Sequence, residues 1–230
     1  MRLNKYISET GVCSRREADK WIEAGRVTLN GAGAGLGTQV ADGDEVRVDG
    51  ELIGAKKKQI YLALNKPVGI ICTTEPHIAG NIIDHVGYPE RIFPIGRLDR
   101  ESEGLILLTN NGDIVNEILR SENNHEKEYV VWVDRPITDL SLGMMAAGVK
   151  IMGEITKPAK VTRVDSQTFR IVLTQGLNRQ IRRMCSALGY KARRLQRVRI
   201  MNVYLGELPS GRWRHLSAAE LAGLLPSRTR

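Results

Sequence analysis

A polar loop that runs into an apolar stretch is the first part of the sequence that could carry chemistry. Residues 93–109 hold three acidic residues and two arginines, and they end in an apolar run over 105–108. A buried strand behind such a loop can hold a carboxylate rigidly at a cleft. Arg97 and Arg100 flank Asp99 and would keep it ionised, and an ionised aspartate can act as a nucleophile or as a base. From spacing alone, an ordinary surface turn is the better interpretation.

Basic residues are concentrated near the end of the chain. The 230 residues carry a net charge of +8. Residues 175–230 hold 12 basic and 2 acidic groups, whereas residues 1–58 are nearly balanced and residues 59–174 are slightly acidic. Most of the excess lies in one short segment, at Arg179, Arg182, Arg183, Lys191, Arg193, Arg194, Arg197 and Arg199. Because the planar guanidinium suits bidentate contact with phosphate, this segment indicates a nucleic-acid surface. The alternative is a solvated basic face without a partner.

The first 48 residues predict a small module of two helices and a small sheet. Ser14 and Glu17 have the spacing of a helix-capping box, and Gly25 ends the helix that Ser14 begins. Strand patterns follow at 27–29 and 45–48, the first ending in a tight-turn pair at 30–31. A unit of this size has little core of its own, which is typical of an accessory binding module.

The rest of the chain predicts an α+β domain with a mixed, mainly antiparallel sheet flanked by helices. Residues 49–58 have the composition of a flexible linker, and the main domain spans 59–230. Strands are expected at 60–64, 70–72, 105–109, 128–133, 160–164, 168–174 and 199–205. Helices are expected at 113–119, 138–147, 178–188 and 217–225.

Other function classes lack their signals in this sequence. No apolar run reaches the ~20 residues of a membrane span, and the N-terminus does not read as a secretory signal. Cys13, Cys72 and Cys185 are too far apart for a disulfide framework or a CxxC metal site. We therefore expect a soluble cytoplasmic protein that binds no metal and no membrane.

The N-terminal pattern resembles the S4 RNA-binding module. The matching segments are Arg2-Leu3, Ser14-Arg15-Arg16-Glu17-Ala18, the run from Gly25 to Gly31, and Asp42-Gly43-Asp44-Glu45-Val46. The resemblance implies that this module grips structured RNA. Its expected RNA contacts are Arg2, Lys5, Arg15, Arg16 and Arg26.

The main domain resembles the pseudouridine synthases. Gly96-Arg97-Leu98-Asp99 is similar to their signature loop. Three further segments match family motifs in order: 65–69, Lys127-Glu128-Tyr129 and 176–184. With the S4 module, they point to the branch that includes RsuA, RluB, RluE and RluF, and residues 125–129 and 199–203 are most similar to the RluF type.

This resemblance implies an activity and its site residues. The enzyme would isomerise a specific uridine to pseudouridine in large-subunit (23S) ribosomal RNA, as a monomer and without a cofactor. Its substrate would be that RNA or an assembling particle. Asp99 would be the nucleophile, Tyr129 would stack on the flipped base, and Arg182 would pair with Asp99. For substrate contacts, Arg97 would fill the gap left by the base, Ile181 would form part of the apolar wall, and Arg179 would bind substrate. Further RNA contacts would come from Arg183, Arg193 and Arg194.

Two other functions remain open at this point. A non-catalytic S4-type RNA-binding or ribosome-assembly factor would not need Asp99. A nucleoside hydrolase would need a second carboxylate near the scissile bond, from Glu101 or Glu103, and would release free uracil.

Overall fold

The computed structural model describes residues 1–54, 58–119 and 124–225, and the chain divides into two compact units. Unit 1 comprises Met1–Ile60 with Tyr88–Ile92 and Asn110–Gly112, and unit 2 comprises Tyr61–Gly87, Phe93–Thr109 and the remainder from Asp113. In these described residues, no helix is both long and apolar enough to cross a membrane.

Unit 1 contains two helices and a four-stranded antiparallel sheet. The elements are α1 (Leu3–Glu9), α2 (Arg15–Glu23), β1 (Val27–Leu29), β2 (Ala32–Gly33), β3 (Val46–Val48) and β4 (Glu51–Leu52), with strand order β2-β1-β3-β4. Its core is formed by Leu3, Ile7, Cys13, Ala18, Ile22, Val27, Val40, Val46 and Val48.

The local signals of unit 1 explain these elements. The side chain of Ser14 accepts a hydrogen bond from the backbone N–H of Glu17, which caps α2. Asn30 and Gly31 both have positive φ, at 52° and 82°, as a two-residue hairpin turn between β1 and β2 requires.

Part of the predicted linker over 49–58 forms regular structure. Glu51–Leu52 forms strand β4 beside β3, and the N–H of Ile53 donates to the carbonyl of Val46. Residues 55–57, with two of the three consecutive lysines on which the prediction relied, lie outside the described part of the chain.

Unit 2 has a mixed sheet flanked by helices, so the predicted α+β class is confirmed. Its helices are α3 (Ile82–Val86), α4 (Gly112–Leu119), α5 (Asp139–Ala147), α6 (Gln180–Ala187) and α7 (Ala218–Leu224). Its strands are β5 (Tyr61–Lys66), β6 (Phe93–Ile95), β7 (Glu103–Thr109), β8 (Lys127–Val133), β9 (Lys150–Ile151), β10 (Glu154–Ile155), β11 (Lys160–Arg163), β12 (Thr168–Leu173), β13 (Ala192–Ile200), β14 (Val203–Tyr204) and β15 (Trp213–His215).

The main sheet consists of two antiparallel halves joined by one parallel pair. The strand order is β11-β12-β8-β13-β7-β5-β15, with β6 beside β7 and β14 beside β13. The pair β13–β7 is parallel, in the register Gln196↔Glu103 and Arg197↔Gly104. Each half has its own core: one around Val131, Phe169 and Met184, the other around Leu105, Leu107 and further residues of β5, α4 and α7.

Gly104 makes the close approach at this junction possible. Its φ is +101°, and a Cβ at this position would lie 2.3 Å from the carbonyl oxygen of Arg197. A side chain is therefore excluded both by space and by backbone conformation.

Two strand predictions for unit 2 need correction. Residues 70–72 form only an isolated bridge, between Ile71 and Asn81. Strand β13 begins at Ala192, seven residues before its predicted start, because the arginines at 193, 194 and 197 interrupt the apolar pattern of its sequence. The short elements α3, β6, β9, β10 and β15 were not predicted.

Candidate active site

The loop between β6 and β7 holds Asp99 at the start of the central strand β7. The N–H of Leu98 donates to Cys72 Sγ at 3.4 Å, and Leu98 itself is buried. The N–H of Gly69 donates to the carbonyl of Arg100 at 2.8 Å, and Arg100 Nε donates back to the carbonyl of Gly69 at 3.2 Å. The Asp99 side chain remains 35% exposed. The backbone of this loop is therefore fixed while its carboxylate stays accessible.

Arg179 is the guanidinium that lies beside Asp99. Its Nη1 is 4.0 Å from Asp99 Oδ2, and its Nη2 donates to Glu101 Oε2 at 2.9 Å. The guanidinium of Arg179 holds the pKa of Glu101 below its usual range, chiefly through this hydrogen bond. Arg179 precedes α6 with φ 51° and ψ 33°, a left-handed conformation that is uncommon outside glycine. Backbone strain of this kind is often found at functional sites.

The expected ion pair between Arg182 and Asp99 is not formed. Arg182 Nη2 donates to the carbonyl of Glu101 at 3.0 Å and to Ser102 Oγ at 3.2 Å, and its Nη1 donates to the carbonyl of Ala192 at 2.9 Å. The two Nη atoms are occupied by oxygens of the Asp99 loop and of β13, and the buried Nε has no hydrogen-bond partner in the described part of the chain. Arg182 thus connects α6 to the loop, while Arg179 supplies the nearest positive charge.

Tyr129 lies on β8 in the middle of the sheet. It is paired with Ile171 on one side and with Arg197 on the other. Its half-buried side chain packs against the core cluster that contains Ile181, which is only 4% exposed. The structure thus brings Tyr129 and the predicted apolar residue Ile181 to one core.

Lys66 is a fully buried lysine at the end of β5. Its Nζ donates to the carbonyls of Pro67 and Ile70, each at 2.9 Å. Burial lowers the pKa of Lys66, while Asp99, Glu103 and Cys72 act on it in the opposite direction. A buried cation therefore contributes to the field around Asp99.

The predicted RNA-binding residues divide into exposed and paired groups. Arg2, Arg15, Arg16, Arg97 and Arg193 are exposed. Arg26 forms hydrogen bonds with both carboxylate oxygens of Asp49 and lies 4.9 Å from the Trp21 ring centre.

The remaining basic residues have partners of their own. Arg194 donates to Glu103 at 2.5 Å and covers the Trp132 ring, Arg183 donates to Asn178, and Lys5 lies 3.6 Å from Glu9. The guanidinium of Arg199 is taken up by Glu126, Glu128 and the carbonyl of Met201, so it is not available to RNA. The basic segment is therefore only partly a free surface.

Sequence reasoning missed Lys66 and the pairing of Glu101 with Arg179 near Asp99, and it did not single out Arg197 beside Tyr129. Lys66 lies in the segment 65–69, which matches a family motif. A lysine inside an apolar run was the signal that could have indicated it. The Arg179–Glu101 pair joins positions 78 residues apart, and no local pattern indicates it.

The fold has two units, and the main sheet of the second unit is joined from two halves. An accessible aspartate, Asp99, lies near this junction, and together these features define an enzyme that acts on RNA. The family model described as RNA pseudouridylate synthase matches residues 60–187, and the S4 domain model matches residues 1–46. The chain belongs to the RNA pseudouridine synthase family and carries an S4 domain at its N-terminus.

Relatives with this architecture are similar to the chain over nearly its whole length. The dual-specificity RNA pseudouridine synthase RluF of Escherichia coli strain K12 is 56% identical over 97% of this chain and 78% of the relative. The ribosomal large subunit pseudouridine synthase B of Bacillus subtilis is 33% identical over 97% of this chain and 95% of the relative. A crystal structure of a pseudouridylate synthase superposes with a TM-score of 0.72 at 32% identity, covering 98% of this chain and 100% of that one. The protein is an enzyme that isomerises uridine in RNA, so the non-catalytic reading is not favoured.

Proposed function

We propose that the protein isomerises a specific uridine of large-subunit ribosomal RNA, with Asp99 as the nucleophile. The observation that carries this proposal is the Asp99 loop, in which a rigid backbone presents an accessible carboxylate beside Arg179. The relatives are RNA pseudouridine synthases, which supports RNA as the substrate class, and one of them is named for the large ribosomal subunit. We further propose that the protein works as a cytoplasmic monomer.

The proposed reaction begins when Asp99 breaks the bond between uracil N1 and ribose C1′. Either a carboxylate oxygen attacks C1′, or a base removes the 2′ proton. In both versions uracil leaves with the electron pair of that bond. The base then turns and C5 bonds to C1′, while the bond between Asp99 and C1′ breaks in the first version and C2′ regains its proton in the second. The C5 proton is lost and N1 gains a proton, so substrate and product are isomers. Such a reaction consumes no cofactor.

The other site residues act on binding and orientation in this proposal. Tyr129 stacks on the flipped base, Ile181 lines its apolar wall, and Arg97 fills the gap in the RNA. Flipping costs a few kcal/mol, which stacking and basic contacts offset. Arg179 orients the carboxylate of Asp99 through its neighbouring positive charge, and Arg182 fixes the loop that carries Asp99. Arg2, Arg15, Arg16, Arg183 and Arg193 contact phosphates.

We also propose that the two units divide this work. Residues 1–48, extended by strand β4, form the S4 RNA grip, and the domain from about residue 59 performs the isomerisation. Two linked weak contacts to one RNA raise overall affinity through effective concentration.

The experiment compares the wild type with Asp99→Asn on unmodified large-subunit RNA, both naked and in immature particles. Pseudouridine is mapped by carbodiimide-stop primer extension. Asp139→Asn is the matched control, because Asp139 is a 93% exposed carboxylate on α5. We expect one new stop with the wild type and with Asp139→Asn, and none with Asp99→Asn. A stop with Asp99→Asn would contradict the role of Asp99, and the appearance of free uracil would indicate a hydrolase.

A further inference from the structure

Arg197 is a buried arginine next to Tyr129 that has an unused hydrogen-bond donor. It is 3% exposed, and its Nε donates to the carbonyl of Leu105 at 2.7 Å. Its guanidinium carbon lies 6.0 Å from the centre of the Tyr129 ring. In the described part of the chain, its buried Nη2 has no hydrogen-bond partner. An unsatisfied buried donor is costly, so its presence calls for an explanation.

The surroundings of Arg197 are unusually cationic. Lys66 and Lys127 both lie close enough for Arg197 to lower their pKa values, in addition to the larger effect of their own burial. The acidic groups that act on Lys66 are Asp99 and Glu103, and Glu103 is itself paired with Arg194. Lys66 and Arg197 are buried and Lys127 is partly buried, and cations grouped in this way weaken the fold unless negative charge offsets them.

The position of Arg197 does not depend on its own side chain. Its backbone is fixed between β8 and β7, opposite Tyr129 and against Gly104. An apolar residue at this position would avoid the cost of burying a charge. Strand β13 therefore places the guanidinium of Arg197 beside the Tyr129 ring, although the fold itself does not require a charged side chain at this position.

We propose that Arg197 is a positioning residue for the base pocket: it holds the Tyr129 ring and places positive charge behind it, to favour a negatively charged uracil on the open side of the ring. This inference rests on the proposed stacking role of Tyr129. It adds no covalent step to the reaction.

The physical reason lies in the charge of the departing base. Uracil leaves with the electron pair of the broken N1–C1′ bond and carries negative charge until C5 bonds to C1′. The face of an aromatic ring is electron-rich and repels an anion stacked on it. A cation over the opposite face attracts that electron density and offsets the repulsion. The effect is specific to the moment at which the base is free, so it acts on the rate and not on RNA binding.

The test compares Arg197→Met and Arg197→Lys with the control Arg199→Met. Arg199 lies on the same strand, and its guanidinium also lies over a tyrosine, 5.8 Å from the ring of Tyr204, but its donors are paired with Glu126 and Glu128. Single-turnover rates of pseudouridine formation are measured at saturating enzyme on large-subunit RNA. The Kd is measured by filter binding, and folding by thermal unfolding and circular dichroism.

We expect Arg197→Met to lower the rate about 10- to 30-fold at an unchanged Kd, and Arg197→Lys to lower it about 3- to 5-fold. Arg199→Met should lose thermal stability but keep the rate. A wild-type rate for Arg197→Met, or a loss that appears only in Kd, would overturn the proposal. If Arg197→Met does not fold, the Lys variant decides, and an unchanged rate there overturns it. Absence of pseudouridine with the wild type would instead refute the proposed function.

Discussion

Neighbouring arginines on α6 have different partners and therefore different expected roles. Arg182 is largely buried and donates to oxygens of the Asp99 loop and of β13. Arg183 is exposed, and among the described residues it donates only to Asn178. One position along the helix separates a residue that shapes the site from one that faces solvent.

This difference predicts opposite kinetic effects for the two arginines. Arg182→Met removes two hydrogen bonds to the loop and one to β13, so the single-turnover rate should fall about 100-fold, as a small misplacement of a catalytic group does. The loss in Arg183→Met should instead appear as an approximately 3- to 10-fold higher Kd, because one phosphate contact is removed. Single-turnover kinetics and filter binding on the same RNA separate the two effects. Equal rate losses in both variants would contradict this assignment.

At the residue scale, local patterns predict the elements that carry the proposed site residues but not the contacts between those residues. The loop of Asp99, the strand of Tyr129 and the helix of Arg182 follow from short motifs. The partner of Asp99 does not, because Arg179 and Arg182 are only three positions apart on one helix start and both had the right charge. Choosing between them needs the left-handed backbone of Arg179, which turns its side chain toward Asp99 and Glu101.

At the scale of elements, the parallel contact between β7 and β13 joins the two halves of the sheet. It requires the backbone of Arg197 to lie where a side chain at position 104 would be. The same contact sets Asp99, at the start of β7, near the basic strand β13. A small change at Gly104 therefore acts on both the fold and the site.

Two glycine substitutions test this requirement. Gly104→Ala places a Cβ 2.3 Å from the Arg197 carbonyl oxygen at φ +101°, so the free energy of unfolding should fall by about 2–4 kcal/mol. Gly143→Ala on α5 is the control, because a Cβ there meets nothing within 4 Å. It should stabilise the protein by about 0.5–1 kcal/mol, since glycine is unfavourable inside a helix. Urea unfolding measures both changes, and equal stability of the two variants would contradict the close approach.

Helices were easier to predict than strands in this chain. The caps at Ser14, Thr138 and Ser217 are local hydrogen bonds, and the structure forms all three. Strand β13 depends on neighbours that are distant in sequence, and Arg194, Arg197 and Arg199 are buried or paired through contacts that the sequence pattern does not show. The short hairpin of β9 and β10 likewise has too few residues for a periodic signal.

At the scale of the whole molecule, charge pairing decides which basic residues can serve RNA. The chain has a net charge of +8, yet several arginines of the basic segment are neutralised by carboxylates in the fold. The exposed residues Arg15 and Arg16 begin α2 without such a pair among the ion pairs of the described chain. The affinity for RNA should therefore depend on how many basic side chains are exposed, and not on the total number of basic residues.

Salt titrations of two variants of the S4 domain test this expectation. Arg16→Ala should weaken RNA binding and reduce the slope of log Kd against log salt by about 1, because one phosphate contact is lost. Arg47→Ala, which removes an arginine already paired with Glu45 at 2.6 Å, should leave Kd and slope unchanged. For the wild type, Kd should rise steeply between 50 and 200 mM salt. An affinity that does not change over this range would contradict an RNA grip based on phosphates.

The long-range hydrogen bonds of the site also determine at which point during synthesis of the protein the site can form. Arg182 reaches the carbonyl of Glu101 across 81 positions, and Arg197 reaches that of Leu105 across 92. At roughly 5–20 residues per second, the ribosome makes these partners about 4–18 s after the signature loop. A nascent chain therefore displays Asp99 well before α6 and β13 can hold it. The proposed site forms only after residue 197 has emerged, so incomplete chains carry the signature loop without the contacts that hold it.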